Sequence, residues 1–576
     1  MKLFKNYIAK HLKALSIPII GMIIALGIDS TFPYLQKIFV DDIMINKKDN
    51  MLLKFFMIFM ILTLLRSVIG YIKEYLFDKF ALNVAKDMRK DLFSKIQTFE
   101  FSFFDNINTG ELMSRVGEDV DTIWDTLGFG IRLLIEAIIL FIITLVIMLK
   151  LNTFLTVVSL VVLAPVSILG LRFDKKFCDM YEKISDQTAE INSMAQQDIA
   201  GIRLVKAFAR EKHEISKFLE VNNEYYNLNV KQAKLLSKFL PTVDFLTNLA
   251  PVAMIIFGGL LTIQGKISFG TILAFSSYIM NISFCVRNLG WLINLLSQNK
   301  ASINKIYKIL EREPNIKSKD DGYNPNEVLG NIEFKNVKFK YNNEEILEDI
   351  NLNIPKGSTV AIMGETGCGK TSLLSLIGRY YDVYDGEVLV DGVNVKEWNL
   401  EKLRSNMSVV FQDTFLFSDT IKNNIDFGNE NSFEEIIKVS EESCAYDFIN
   451  EMELKYDTEI GERGVGLSGG QKQRISIARG LLSKSSILIL DDATSALDME
   501  TEFKVLKNLS NRRDKPTTFI IAHRISGVKD ADIILFMKDG KIVEMGNHEE
   551  LLKKQGYYYS IYCHQFKDFE LIKEVS

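Results

Sequence analysis

At 576 residues the chain is too long for one hydrophobic core, so two or more domains are expected. A formal net charge of −5 and an isoelectric point near 5.8 exclude a nucleic-acid binder held by a basic surface. The five cysteines form no C-x-x-C pair and the five histidines no ligand cluster, which fits reduced thiols and excludes a structural metal site of that kind.

Lys2, Lys5, Lys10 and Lys13 precede the first apolar run, and no small-residue cleavage site follows. This pattern predicts an uncleaved first span with its start in the cytoplasm. Residues 1–11 read as an interfacial helix. Apolar runs long enough to cross a bilayer cover residues 15–40, 52–72, 127–149, 154–171, 239–264 and 269–296. They predict an all-helical transmembrane domain over residues 1–310, and an even number of crossings returns the rest of the chain to the cytoplasm.

The connections 46–50, 150–153 and 265–268 are short and fall outside by that orientation. Those between spans two and three, and four and five, are long and charged. Phe77, Phe80, Val84, Met88 and Leu92 recur at helical spacing after the second span. A helix over residues 73–98 would run about 40 Å, so the membrane helices are expected to continue deep into the cytoplasm. Residues 101–116, with a turn signal at 105–110, and residues 198–211 are the candidates for helices that pass movement to the rest of the chain.

Asp29, Arg66, Arg132, Glu136, Asp244 and Arg287 lie in or near the apolar runs. Such groups are costly in lipid, and two readings stand: ion pairs within the bundle, or contacts to a transported substrate. Pro18, Pro33, Pro165, Pro241 and Pro251 also sit in spans and can kink them.

Residues 311–330, charged and containing Pro314 and Pro325, read as a linker. From Ile332 on, short β-branched runs alternate with amphipathic helices, the pattern of an α/β nucleotide domain over residues 331–576. Residues 332–341 alternate as a strand ending on Tyr341, which either stacks on an adenine or is a surface tyrosine.

The stretch Gly364-Glu365-Thr366-Gly367-Cys368-Gly369-Lys370-Thr371 follows an apolar strand and opens a helix. It fits the G-x-x-x-x-G-K-[ST] cradle. Its glycines let backbone N–H groups close around phosphates, with the helix dipole behind them. Lys370 can reach the β- and γ-phosphates of ATP, and the Thr371 hydroxyl can hold Mg²⁺. Cys368 reads as a small residue of that loop.

Residues 486–490 form a second buried strand ending on Asp491-Asp492, acids placed to meet Mg²⁺. Leu467-Ser468-Gly469-Gly470-Gln471 opens another helix, capped by Ser468, whose glycines let backbone approach an anion. One chain with one nucleotide has no evident need for two such helix starts unless two chains share them.

These motifs, with Ile487-Leu488-Ile489-Leu490-Asp491, Ser495-Ala496-Leu497-Asp498, Ala522-His523-Arg524 and Gly540-Lys541-Ile542-Val543-Glu544, span the second half. Together with the six-span half they resemble a half-transporter of the ATP-binding cassette (ABC) exporter family. The resemblance implies a multidomain membrane protein: an all-α six-helix transmembrane domain plus an α/β P-loop NTPase domain. It implies a multi-pass protein of the cytoplasmic membrane, in contact with lipid, whose cassettes pair head to tail. Each ATP would then lie between one chain's phosphate loop and the other's Leu467–Gln471 signature, with no nucleic acid involved. Tyr341 would stack on adenine, Gln412 would link the γ-phosphate and Mg²⁺ to the membrane helices, and His523 would contact the γ-phosphate. Thr371, Gln412 and Asp491 would hold the metal, and Asp498 would communicate between the two sites. Gly461-Glu462-Arg463-Gly464 resembles the segment that touches the second transmission helix of the other chain.

One position departs from the family pattern. After Asp491 the family carries glutamate, the base that polarises the attacking water; here it is Asp492. One methylene less withdraws the carboxylate by about 1.5 Å. A misplacement near 1 Å can cost roughly 100-fold in rate, so this chain's own site is expected to bind ATP and cut it slowly. That favours a heterodimer with a second half-transporter over a homodimer. The implied activity is ATP-driven export of an amphipathic drug, lipid or peptide. The alternative is an ATP-gated channel or regulatory subunit with little hydrolysis.

Overall fold

The computed structural model describes residues 2–319, 321–342, 344–461, 464–512 and 515–565. Glu462, Arg463 and the Arg287 side chain, all named above, lie outside the described residues. The chain divides into two compact units. The first is Met1–Thr98 with Ile107–Arg312; the second is Phe99–Asn106 with Glu313–Ser576.

The first unit is helical. An amphipathic helix, Lys2–His11, precedes Ser16–Ile38, Leu52–Ile96, Arg132–Leu151, Thr153–Ala200, Glu211–Ile263 and Phe269–Leu310. Four of the long elements hold 45, 48, 53 and 42 residues. At 1.5 Å per residue they run about 63 to 80 Å, twice or more the ~30 Å hydrocarbon layer. The helical spacing after residue 72 therefore does continue the second span, which ends at Ile96, two residues short of the expected end.

By length and composition, Asn6–Ile45, Asp49–Ile96, Thr109–Leu151 and Glu211–Ile263 can cross a membrane. The fourth and sixth expected spans lie in Thr153–Ala200 and Phe269–Leu310, where the described apolar stretches are Thr153–Val166 and Phe269–Cys285. None of the most apolar window of Asp49–Ile96 is buried, so its leucines and phenylalanines face outward, as lipid contact requires and water does not tolerate.

Local signals set the helix ends. Asn152 breaks two helices apart and accepts the Leu155 N–H at 3.0 Å; Ser268 accepts the Thr271 N–H. Pro33, Pro165, Pro241 and Pro251 all lie inside helices. The first span ends in a π-helical turn, Phe39–Ile45, which presents Asp41 to the start of the last long helix. Asp41 accepts the Gly270 N–H at 2.9 Å and the Ser268 hydroxyl. A Cβ at Gly270 would stand 2.5 Å from the Lys37 carbonyl, so only glycine permits this approach.

The polar groups in the spans meet one another. Arg66 donates to both oxygens of Asp29, at 3.0 and 3.3 Å. Arg132 donates to Glu74 at 3.0 Å, and Lys73 pairs with Glu136. For these residues the ion-pair reading accounts for the structure without a substrate.

The second unit carries two sheets. Strands β1 (Ile332–Tyr341), β2 (Glu344–Ile354), β4 (Asp385–Val390) and β5 (Val393–Asn394) form an antiparallel sheet ordered β2-β1-β4-β5. Strands β3 (Thr359–Gly364), β6 (Met407–Val410), β7 (Ile487–Asp491), β8 (Thr517–Ile521), β9 (Ile533–Lys538) and β10 (Lys541–Gly546) form the second, ordered β10-β9-β3-β8-β7-β6. Neighbours from β9 to β6 run parallel, and β10 alone pairs antiparallel. β7 and β8 are buried throughout, which is why their sequences read as unbroken apolar runs. The loops that leave β3 and β7 therefore emerge at the same edge of the sheet, where chemistry on open α/β sheets concentrates.

Candidate nucleotide site

The loop after β3 is shaped by its glycines. Gly364, Gly367 and Gly369 have φ of 146°, 84° and 96°. A Cβ at Gly364 would lie 2.2 Å from the Met537 carbonyl, and one at Gly369 2.7 Å from Leu347. The helix Lys370–Ile377 starts directly after Gly369, so its free N–H groups point into the loop. It stops at Ile377, because Gly378 and the positive-φ Arg379 turn the chain. Glu365 and Thr366 are exposed at the loop's crest, while Cys368 is buried and burial pushes its thiol up. Cys368 thus fills space as a small residue. Lys370 Nζ donates to the carbonyls of Gly364 at 2.9 Å and Glu365 at 2.7 Å, holding a cation over the cradle.

From the end of β7, Asp491 Oδ1 accepts the Thr371 hydroxyl at 3.0 Å. Burial raises the Asp491 carboxyl above the usual range. Asp492, at φ 47°, accepts from Gln412 Nε2 at 3.1 Å. Asp491, Asp492, Gln412 and Thr371 are thus brought to one mouth of the parallel sheet. Among the described residues no cluster of three His, Cys, Asp or Glu side chains gathers. A metal here would rest on one carboxylate, a few neutral protein oxygens and phosphate oxygens, the arrangement that suits Mg²⁺. The donor set of Thr371, Asp491 and Gln412, all hard oxygens, fits it.

The second helix start is Gly469–Leu482. Ser468 and Gln471 close a capping box: Gln471 N–H donates to Ser468 Oγ at 3.2 Å and Ser468 N–H to Gln471 Oε1 at 2.8 Å. Gly470 lies against the Ala496 carbonyl, and Gln473 accepts the Ala496 N–H at 2.9 Å. The signature helix and the 495–498 turn are therefore bonded to each other and closely packed. Asp498 caps the next helix, Met499–Ser510; the Thr501 N–H and hydroxyl hold its carboxyl below the usual range. Buried Glu502 accepts the Thr494 hydroxyl at 2.8 Å and pairs with Arg524 at 3.4 Å, fixing the turn that carries exposed His523. Glu502 has no signature in the sequence, because one acid on an amphipathic helix carries no signal of burial.

Tyr341 ends β1 half-buried, its ring edge-on to Tyr381 at 5.2 Å and to Phe339 at 4.8 Å. Elsewhere on this unit a groove of about 1290 Å³ is lined by Phe415, Phe417, Asp419, Asp426, Phe427 and Val465. In the first unit, Ile199, Leu204 and Phe208 stand exposed around the short helix Ile202–Ala207.

Comparison with known proteins matches residues 15–285 to the ABC transporter transmembrane region and residues 347–495 to the ABC transporter domain. An uncharacterized ABC transporter ATP-binding protein of Bacillus subtilis, YknU, is 36% identical over 576 residues, covering 100% of this chain and 98% of its own. An ATP-dependent lipid A-core flippase of Syntrophus aciditrophicus is 33% identical over 580 residues, covering 100% and 96%. The structure of a bacterial Atm1-family ABC exporter with ATP bound superposes with a TM-score of 0.82 at 24% identity, covering 97% of this chain and 98% of that one, a likeness of fold. The chain belongs to the ABC exporter family, as a half-transporter that carries its membrane region and its ATP-binding domain on one polypeptide.

Proposed function

We propose that this chain is one half of a dimeric pump that exports an amphipathic substrate across the cytoplasmic membrane, with its N-terminus and its ATP-binding domain in the cytoplasm. The observation that carries the reading is the joining of membrane-length helices to a complete set of phosphate-binding elements in one chain. ATP would lie on the Gly364–Thr371 loop, with Tyr341 against its base and Lys370 and His523 at its terminal phosphate. Thr371, Asp491 and Gln412 would hold Mg²⁺, which draws charge from the phosphate oxygens. The Leu467–Gln471 helix start would complete the site of the other chain, and Asp498 beside it would report between sites. ATP favours the paired cassettes over the separated ones, and only that difference can drive the membrane helices.

Asp492 would act as the base at this chain's own loop. Its short carboxylate, bonded to Gln412, supports slow hydrolysis here and a partner of different sequence whose own acid is longer. The exposed Ile199, Leu204 and Phe208 suit the phenylalanine-lined groove of the opposite chain, which supports a crossed connection between subunits.

The test is reconstitution of the native complex in vesicles with a panel of fluorescent dyes, labelled lipids and peptides. ATP should drive uphill movement of at least one class, and Lys370→Ala should abolish nucleotide binding at this chain's loop. Ion currents under ATP, with no uphill transport of any class, would select the channel reading instead.

A further inference from the structure

The short segment Phe99–Asn106 joins the second long helix to the next ones, yet it clusters with the nucleotide unit. Two sets of contacts hold it there. Buried Glu100 accepts both the backbone N–H of Asn315, at 3.0 Å, and its side-chain amide, at 2.9 Å. The helix Phe101–Asp105 then meets a pair of tyrosines. Phe101 stacks on Tyr380 at 4.6 Å, and Asp105 Oδ2 accepts the Tyr381 hydroxyl at 2.7 Å.

Tyr381 faces two ways. Its ring stands at 90° to that of Tyr341, with centroids 5.2 Å apart, and at 5.7 Å from Phe339. Edge-to-face pairs at this separation are attractive and directional, so the angle of one ring restricts the other. Burial and the Asp105 carboxylate push the Tyr381 hydroxyl up, so it stays protonated and donates. One side chain thus separates the segment tied to the membrane helices from the ring placed to meet the base.

We propose that Tyr381 is a positioning residue which walls Tyr341 against the adenine base and, through its bond to Asp105, ties that contact to the place of the Phe99–Asn106 segment. This rests on the reading above in which Tyr341 meets the base. When Asp105 stays bonded, Tyr381 is held edge-on and Tyr341 keeps one ring orientation. When the segment withdraws, Tyr381 loses its anchor and Tyr341 its wall. Binding of the base and placement of the segment are then linked, and linkage is reciprocal. This route runs through the base and is separate from the one that leaves the phosphates through Gln412.

The experiment measures dissociation constants for Mg-ATP and for Mg-tripolyphosphate, which lacks the base, on the purified full-length chain. Tyr381→Phe and Asp105→Ala should each weaken ATP about fivefold while leaving tripolyphosphate within about twofold. The double variant should be no worse than either single one, since both cut the same link. Equal weakening of both ligands would show a merely structural segment and overturn the proposal. Tyr341→Ala separates the two readings. If it leaves the ATP-to-tripolyphosphate ratio unchanged, the base contact is wrong and the link falls with it. If it lowers the ratio while Asp105→Ala does not, the base contact stands and the link alone is refuted.

Discussion

Replacing Asp492 by glutamate returns one methylene to the acid that follows β7. In the structure the aspartate carboxylate reaches only as far as Gln412, 3.1 Å away. The longer side chain advances the carboxylate by about 1.5 Å toward the place where, on the proposed reading, an attacking water would stand. Misplacements near 1 Å can cost roughly 100-fold, and a positioned general base contributes roughly 100- to 10,000-fold. Asp492→Glu should therefore raise turnover at this site by about 100-fold, equivalent to about 2.7 kcal/mol of barrier. The assay is phosphate release from the complex with the other subunit's phosphate-loop lysine replaced, so that this site alone contributes. The ATP concentration for half-maximal rate should change little, because the cradle is untouched. Unchanged or lower turnover in Asp492→Glu would refute the account of the short carboxylate.

Other substitutions test the supporting geometry. Gly369→Ala places a Cβ 2.7 Å from Leu347 at φ 96°, which should cost about 1–2 kcal/mol in backbone strain and weaken ATP binding at least about tenfold by calorimetric titration. Ser468→Ala removes the acceptor of the Gln471 N–H and should lower stability by about 1 kcal/mol in denaturant melts, while Ser468→Asp, which keeps an acceptor, should lose less. Asp41→Ala strands the Gly270 N–H and the Ser268 hydroxyl at the start of the last long helix. It should cost about 1–3 kcal/mol in thermal unfolding of the detergent-solubilised chain, whereas substitution of exposed Lys47 nearby should cost almost nothing.

The phosphate loop, the strand that ends on Asp491 and the capped start at Ser468 were legible in the sequence because each is a local device. Glycines at positive φ, a β-branched run and a serine three residues before Gln471 announce themselves within ten residues. The long helices were legible for the same reason, since helical spacing repeats. What the sequence hid depends on residues far apart along the chain. Asp105 bonds Tyr381 across 276 positions, and Asp41 meets Gly270 across 229. Neither acid differs locally from a solvated one. The pairing of Asp29 with Arg66, and of Lys73 with Glu136, likewise settled only when helices were laid side by side, because a charge in an apolar run does not name its partner.

The central claim is that ATP is held at this chain's loop and cut mainly at the other. The direct measurement is photolabelling of the native complex with azido-ATP under turnover and vanadate, followed by separation of subunits and identification of the trapped nucleotide on each. The account predicts two kinds of subunit, with uncleaved triphosphate on this chain and trapped diphosphate on the other. A single kind of subunit, trapping diphosphate equally at both loops, would contradict it.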